Sequence, residues 1–176
     1  MKEELDIVDA HDDLIGSADR SEVHKKGRLH RVVQVMIFNA DGKLFVQQRA
    51  SSKDMYPNYL EGSLSGHVKS GESYKEAAER ELHEELGVCV TPKHLKEVIE
   101  FGLKEGNERV LAKLYVLKDF KGDIQIDRDE VKSGSFWTKK KLETELKGKK
   151  LFHPVFIKAL EELRSMKENT IEFVKL

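Results

Sequence analysis

Residues 66–88, GHVKSGESYKEAAERELHEELGV, carry the most specific pattern in the sequence. Ser73 can accept hydrogen bonds from free N–H groups, and Glu76 follows three residues later, which is the capping-box pattern of a helix start. Gly87 suits the left-handed residue that lies just past a helix end. The stretch therefore predicts a loop, one helix and a second loop.

The predicted helix has an apolar side and an acidic side, because its side chains repeat about every 3.6 residues. The apolar set is Ala77, Ala78, Leu82 and Leu86, and the acidic set is Glu81, Glu84 and Glu85. Carboxylates this close repel one another. A divalent cation such as Mg²⁺, which prefers oxygen ligands and shares its shell with substrate phosphates, would offset the repulsion. The alternative is a solvated acidic face flanked by lysines and arginines.

The full spacing, Gly66-x5-Glu72-x7-Arg80-Glu81-Leu82-x-Glu84-Glu85-x-Gly87-Val88, resembles the Nudix box at every defining position. The resemblance implies an α/β (α+β) fold, a Nudix-type α/β/α sandwich around a mixed β-sheet. It also implies Mg²⁺ or Mn²⁺ as the cofactor and a small-molecule diphosphate as the substrate. The implied metal ligands are the Gly66 carbonyl, Glu81, Glu84 and Glu85, and Arg80 is implied to pair with Glu72 and orient these carboxylates.

Length and composition limit the remaining classes of function. With 176 residues we expect a single domain over 1–176 that contains the box at 66–88. The net charge of −1 does not favour a nucleic acid polymer or an anionic membrane as partner. The N-terminus has no apolar signal region, which predicts a cytoplasmic protein, and the oligomeric state stays open. The single cysteine, Cys89, excludes an internal disulfide, and we expect it to be buried.

Hydrophobic alternation and turn residues predict the other elements. An N-terminal β-hairpin over 5–10 and 14–17 precedes strands over 31–39, 44–49, 63–66, 95–101, 109–117 and 133–138, the last with Trp137 in the core. Segment 19–27 is predicted as a helical turn or a loop. Helices are predicted over 139–146 and 154–167, and the tail 170–176 as a final strand.

The polar loop after the second sheet strand, SSKDMYPNYLEG at 51–62, is a candidate substrate-binding segment. Arg49 and Lys53 would supply cations for phosphate oxygens. Tyr56 and Tyr59, with Pro57 between them, would form an aromatic rim, or would instead pack against the core.

Hydrolysis of a phosphoanhydride by water needs charge neutralisation and a proton acceptor. Glu81 is the first candidate for the general base, and Glu108 and Glu130 are candidates outside the box. The expected activity is that of a metal-dependent pyrophosphatase acting on a nucleoside diphosphate derivative or a related compound.

A rival interpretation is an isomerase of the same fold family. Segment 47–67 resembles type 1 isopentenyl diphosphate isomerase, with Arg49 and Lys53 four residues apart and a residue followed by Gly66 and His67. His67 is expected near the site, and His30 and His24, the latter about one residue out of register, could join it in holding a metal through imidazole. The residue before Gly66, however, is Ser65 where those isomerases carry a catalytic cysteine, and a hydroxyl is a far weaker acid than a thiol.

The sequence also bears on a third class of function and on the remaining histidines. A non-catalytic Nudix-like binding module is a third class, but such proteins usually lose acids of the box, and all of them are present here. The other histidines are interpreted as structural or surface residues: His11, His83, His94 and His153.

Overall fold

A computed structural model describes residues 3–148 and 150–166 of the chain. Its strands are β1 (Glu4–Val8), β2 (Leu14–Asp19), β3 (His30–Asn39), β4 (Leu44–Arg49), β5 (Leu60–Glu61), β6 (Leu64–His67), β7 (Lys96–Glu105), β8 (Glu108–Phe120) and β9 (Val131–Trp137). Its α-helices are α1 (Arg20–Lys26), α2 (Tyr74–Leu86), α3 (Lys139–Leu146) and α4 (Pro154–Ser165), with a short 3₁₀ turn at Pro92–His94.

Strand β3 lies at the centre of a mixed sheet. It runs parallel to β8 and antiparallel to β6, and β8 pairs antiparallel with β7. The β1–β2 hairpin joins through the pair Ile7–His30. Strand β4 meets β3 at Leu44 and pairs antiparallel with β5 and β9. The mixed sheet and the N-terminal hairpin are as the sequence predicted.

Helices cover both faces of this sheet. Successive side chains of β3 point to opposite sides, so both faces carry apolar side chains that helices bury. Val33, Val35 and Ile37 pack in the core that holds the apolar side of α2. Val32 and Met36 pack in the opposite core, which holds apolar residues of α3 and α4. The predicted α/β/α sandwich is therefore confirmed.

The start and end of α2 follow its local sequence. The Ser73 side chain accepts from the Glu76 backbone N–H, and the Glu76 side chain accepts from the Ser73 backbone N–H. At the other end, Gly87 adopts the left-handed conformation with φ of 63°. Because glycine enters this region without a steric penalty, it ends the helix cleanly. The helix predicted from residues 66–88 is confirmed.

The structure differs from the sequence-based expectations in several places. Segment 19–27 contains a true helix, α1, whose end is set by Gly27 with φ of 60°. Strand β5 was not predicted, since two residues are too short a run to show alternation. Strands β7 and β8 are longer than expected, since their mutual pairing continues to a two-residue turn between Glu105 and Glu108.

Cys89 is exposed, so the expectation of a buried thiol was wrong. The preceding residue, Val88, fills the core instead and is only 2% exposed, which turns the next side chain outward. Trp137 is buried as expected. The predicted strand over 170–176 lies outside the described residues. None of the helices in the described ranges is both long and apolar enough to cross a membrane.

Candidate active site

Gly66 brings strand β6 into direct contact with helix α2. A Cβ atom on Gly66 would lie 2.5 Å from the Glu81 side chain, closer than such contacts occur. With Glu81 in this position only glycine allows the approach, so packing requires the first residue of the box to be glycine. The Gly66 backbone is therefore held beside the acidic face of α2.

Arg80 gathers the carboxylates of the box around one guanidinium. Its Nε and Nη2 donate to the two oxygens of Glu72 at 2.8 Å each, and Nη2 also donates to the His67 carbonyl at 3.0 Å. Its Nη1 donates to Glu81 at 2.6 Å and to Glu84 at 3.1 Å. The expected Arg80–Glu72 pair is present, and the same guanidinium offsets the carboxylate repulsion.

Burial distinguishes the three glutamates of the acidic set. Glu84 is largely exposed, Glu81 is mostly buried, and Glu85 is only 4% exposed. Burial raises the pKa of Glu81, although Arg80 opposes the shift. Burial, and then the nearby carboxylate of Glu61, raise the pKa of Glu85 to about 8. A carboxylate with such a pKa takes up a proton unless a cation stabilises its charge.

A second group of possible metal ligands lies on the opposite face of β6. His24, His30, His67 and Glu108 each place one ligand atom within 4.8 Å of the others. The His24 Nδ1 lies 2.7 Å from Glu108 Oε2, and the His24 Nε2 lies 3.1 Å from the His67 Nε2. We call these four residues the histidine group. Helix α1, strand β3, strand β6 and strand β8 contribute one residue each.

Burial favours the neutral form of two imidazoles of the histidine group, those of His30 and His67. Burial lowers the pKa of His30 below its ordinary value, and burial followed by the nearby His30 lowers the pKa of His67 well below it. Within the described residues, His30 Nε2 is buried and has no hydrogen-bond partner. A neutral imidazole nitrogen without a partner is a suitable ligand atom for a transition metal.

A pocket of about 1230 Å³ connects the two groups. The predicted site residues that line it are Arg49, Lys53, Gly66, His67, Arg80, Glu81, Glu84 and Glu85. Glu108 and Glu130, the alternative bases, line it as well. The structure thus brings together in one pocket the residues that the sequence assigned to catalysis and substrate binding and the ligands of the acidic set, and it places His30 in the adjoining histidine group.

The two predicted phosphate-binding cations have different surroundings. Arg49 is only 7% exposed and forms an ion pair with Glu61 at 3.2 Å, so it is not a solvated loop charge. Lys53 forms an ion pair with Glu130 within the pocket. Glu108 pairs with His24 of the histidine group, whereas Glu130 pairs with Lys53.

The aromatic residues of the loop lie at one wall of the pocket. Tyr56 lines it, and its ring makes edge contacts with Tyr59 at 5.3 Å and with His153 at 4.6 Å. His153 is buried and accepts from the Val155 backbone N–H at the start of α4, so of its two interpretations, structural or surface, the structural one is correct. Its position directly before Pro154, which can start a helix, was the signal in the sequence for a capping role.

Two buried residues behind the acidic face were missed by the sequence analysis. Gln47 and Glu61 are each 1% exposed. Gln47 occupies a position of β4 on the same side as Phe45, where alternation predicts an apolar side chain, so a signal was present. Glu61 was read as part of a polar loop, and no local pattern marks it.

The comparisons with known proteins agree with this geometry. A family model described as NUDIX domain matches residues 28–160. An uncharacterized Nudix hydrolase of Listeria monocytogenes is 33% identical over 170 residues, which cover 96% of this chain and 97% of that protein. The crystal structure of DR0079 from Deinococcus radiodurans superposes with a TM-score of 0.79 at 26% identity, covering 91% of this chain and 98% of the other.

Part of the chain is also similar to an isomerase. The isopentenyl-diphosphate Delta-isomerase of Serratia proteamaculans is 45% identical over 87 residues, which cover 49% of each protein. The similarity is therefore confined to about half of either chain, whereas the match to the Listeria hydrolase extends over nearly all of both. The chain belongs to the Nudix family of hydrolases that act on phosphoanhydride bonds.

Proposed function

We propose that this protein is a metal-dependent hydrolase that cleaves the diphosphate linkage of a nucleoside diphosphate derivative or a related compound. The observation that carries the proposal is the arrangement around Arg80, which holds Glu81 and Glu84 beside Gly66 at a pocket with two further cations, Arg49 and Lys53. The proposed enzyme is a single domain over 1–176, which is supported by a family match that spans both layers of helices.

The oxygen ligands suit a hard divalent cation. Glu81, Glu84 and Glu85, with the Gly66 carbonyl, would hold Mg²⁺ or Mn²⁺. The close approach of Gly66 to Glu81 and the unfavourable burial of Glu85 both fit such an ion. Bound there, the ion would neutralise phosphate charge and acidify the attacking water.

The side chains of the pocket would bind and orient the substrate. Lys53 and Arg49 would donate to phosphate oxygens, and His67 would lie beside them. A raised pKa suits Glu81 to accept the proton of the attacking water. Glu130 is the alternative base, because it lies in the same pocket next to Lys53.

We also propose that the histidine group holds a second, softer ion such as Zn²⁺. The proposal is supported by the unpartnered Nε2 of His30 and by the short separation of the His24 and His67 nitrogens. An imidazole-rich set with one carboxylate suits Zn²⁺ better than Mg²⁺.

The direct test is phosphate release from a panel of nucleoside diphosphate derivatives with Mg²⁺ or Mn²⁺. Wild type should release phosphate only with metal. At metal concentrations that saturate each variant, the larger loss of kcat between Glu81→Gln and Glu130→Gln should identify the base. Glu79→Gln is the matched control, since Glu79 lies on the same helix and does not line the pocket. No release from any member of the panel would reject the proposal.

Isomerase activity is the second candidate, because the histidine group and the half-length similarity to an isomerase both favour it. Ser65 opposes it, since the serine hydroxyl lacks the acidity that proton transfer at carbon requires. Incubation of wild type with isopentenyl diphosphate and metal should give no dimethylallyl diphosphate. Formation of that product would favour the isomerase.

A further inference from the structure

Four buried polar side chains connect the acidic face of α2 to the loop at residues 50–59. They are Gln47 and Arg49 on β4, Glu61 on β5 and Glu85 on α2, and none is more than 7% exposed. We call them the Glu61 network. Gln47 and Glu61 are directly paired positions of neighbouring antiparallel strands, so their side chains lie on the same side of the sheet.

One arm of the network leads to the metal-binding carboxylate. The Gln47 Nε2 donates to Glu61 Oε1 at 2.9 Å and to Glu85 Oε2 at 3.2 Å. Both N–H bonds of the amide are therefore used by carboxylates, while its oxygen has no partner among the described residues. Gln47 holds the Glu85 side chain in one position, and Glu61 fixes the orientation of Gln47.

The other arm leads to the loop that carries Lys53 and Tyr56. Arg49 Nη1 lies 3.2 Å and 3.4 Å from the two oxygens of Glu61, and its Nη2 donates to the Met55 carbonyl at 3.2 Å. The guanidinium thus joins the sheet to the middle of the loop. Glu61 itself does not line the pocket.

Stability alone does not account for this arrangement. Glu61 adds a second buried carboxylate behind Glu85, and two such groups around one amide repel each other. Replacing buried charged pairs with apolar side chains of similar shape is often neutral or stabilising. Groups that contact metal ligands from behind, however, commonly set the orientation and affinity of those ligands.

We propose that Glu61 is a positioning residue that couples metal binding to substrate binding, through Gln47 to Glu85 and through Arg49 to the loop at 50–59. The inference rests on the proposed function, because it takes Glu85 as a metal ligand and Lys53 as a phosphate-binding residue. It predicts that the two arms can be separated by mutation.

The test measures Mn²⁺ affinity by calorimetry and KM at saturating Mn²⁺ for Glu61→Gln and Gln47→Leu. Glu61→Gln removes the negative charge of the oxygen that accepts from both Gln47 and Arg49, so the hydrogen bonds of both arms are weakened. We expect the Kd for Mn²⁺ to rise about tenfold in both variants, as for other groups behind metal ligands. KM should rise several-fold in Glu61→Gln and stay within about twofold of wild type in Gln47→Leu, whose loop arm is intact.

Ser63→Ala is the matched control. Ser63 is also fully buried, and its hydroxyl links the Ile37 N–H to the Phe45 carbonyl without contacting the site. This variant should melt at a lower temperature and keep the Kd and KM of wild type.

Unchanged Kd and KM in a folded Glu61→Gln would overturn the inference, and so would an unchanged Kd in Gln47→Leu if Glu61→Gln does not fold. Glu85→Gln separates this result from a failure of the proposed function. If Glu85→Gln weakens Mn²⁺ binding while the other two variants do not, only the role of Glu61 is rejected. If wild type does not bind Mn²⁺, the proposed function and the inference are both rejected.

Discussion

The acidic face of α2 and the histidine group are two candidate metal sites that lie on opposite faces of the same strand, β6. The first is built from residues within a single stretch of 66–88, whose order along one helix already brings them together. The second draws His24 and Glu108 from positions 84 residues apart. Local sequence specifies the first site, and the packing of four separate elements specifies the second.

The two sites also control charge in different ways. In the acidic face, the Arg80 guanidinium bridges Glu72, Glu81 and Glu84 and offsets their negative charge. In the histidine group, burial favours the neutral form of His30 and His67, and Glu108 supplies a single carboxylate. The first arrangement favours a hard cation that replaces arginine as counter-charge, and the second favours a softer ion.

Removal of a carboxylate from the acidic face should have the largest effect. Glu84→Gln or Glu85→Gln should lower metal-dependent phosphate release by about a hundredfold or more, because a bound ion contributes several kcal/mol of charge stabilisation. Calorimetry should show weakened Mg²⁺ binding in both folded variants. Unchanged Mg²⁺ binding in both would contradict the assignment of this face as the metal site.

A change in the histidine group should have a smaller effect on the same reaction. His30→Gln should lower Mg²⁺-supported phosphate release by less than about tenfold, because its side chain supports the site from the other face of β6. The absorption spectrum of bound Co²⁺ should lose its imidazole-dependent bands in this variant. A hundredfold loss of Mg²⁺-supported release would show that the two sites do not act separately.

Glu85, on the acidic face, should also make the stability of the metal-free protein depend on pH. The pKa of Glu85 is raised to about 8 in the folded state, so the folded state retains a proton that the unfolded state releases above its ordinary pKa. Its contribution to stability is therefore present at low pH and is lost as pH rises toward 8.

Glu85→Gln removes this loss, and at pH 8 the metal-free variant should exceed wild type by about 1–3 kcal/mol in free energy of unfolding. At pH 5 the two proteins should be nearly equal. Urea titrations at the two pH values measure the difference, and a gap of the same size at both would contradict the assigned pKa. The same substitution would then stabilise the fold and remove the activity.

A buried imidazole should give stability the opposite pH dependence, with a loss on acidification. His153, which belongs to neither candidate metal site, tests this. Burial, and then the charge of Arg49, lower the pKa of His153 to about 3. Its contribution to stability is present above the ordinary histidine pKa and is lost as pH falls toward 3.

Between pH 6.5 and pH 5, the free energy of unfolding of wild type should therefore fall by about 2 kcal/mol, at 1.36 kcal/mol per pH unit. His153→Asn should not show this decrease. Asparagine is the suitable replacement because it can also cap α4. Urea titrations of the two proteins at pH 7.5 and pH 5 provide the measurement. Parallel loss in both would contradict a neutral, buried His153.

Ser65, on the strand between the two sites, should have the smallest effect. Ser65→Ala should leave phosphate release within several-fold of wild type, because water is the nucleophile and hydrolysis requires no proton from this side chain. Isomer formation that depends on Ser65 would instead support the isomerase.

Much of the fold was predictable because its signals are local. The capping box at Ser73, the glycine after α2 and the alternation along β3 each depend on neighbours in sequence. Cys89 and strand β5 were not predicted correctly, since exposure and a two-residue pairing depend on what packs nearby.

The roles of the other buried polar residues required the tertiary structure. Glu61 lies in a segment without periodicity, and only the pairing of β5 with β4 brings it to Gln47 and Glu85. The sequence could show that Arg49 is a cation near the site, but it could not show that Glu61 holds it.

The helix of the box, its acidic face and the family of the chain follow from local sequence, because they depend on residues within one helical segment. The meeting of His24 and Glu108 with His30 and His67, and the position of Glu61 behind Glu85, could be seen only in the folded chain. Such contacts join residues far apart in the chain, and their geometry arises when β3, β6 and β8 pair and the helices pack on the sheet.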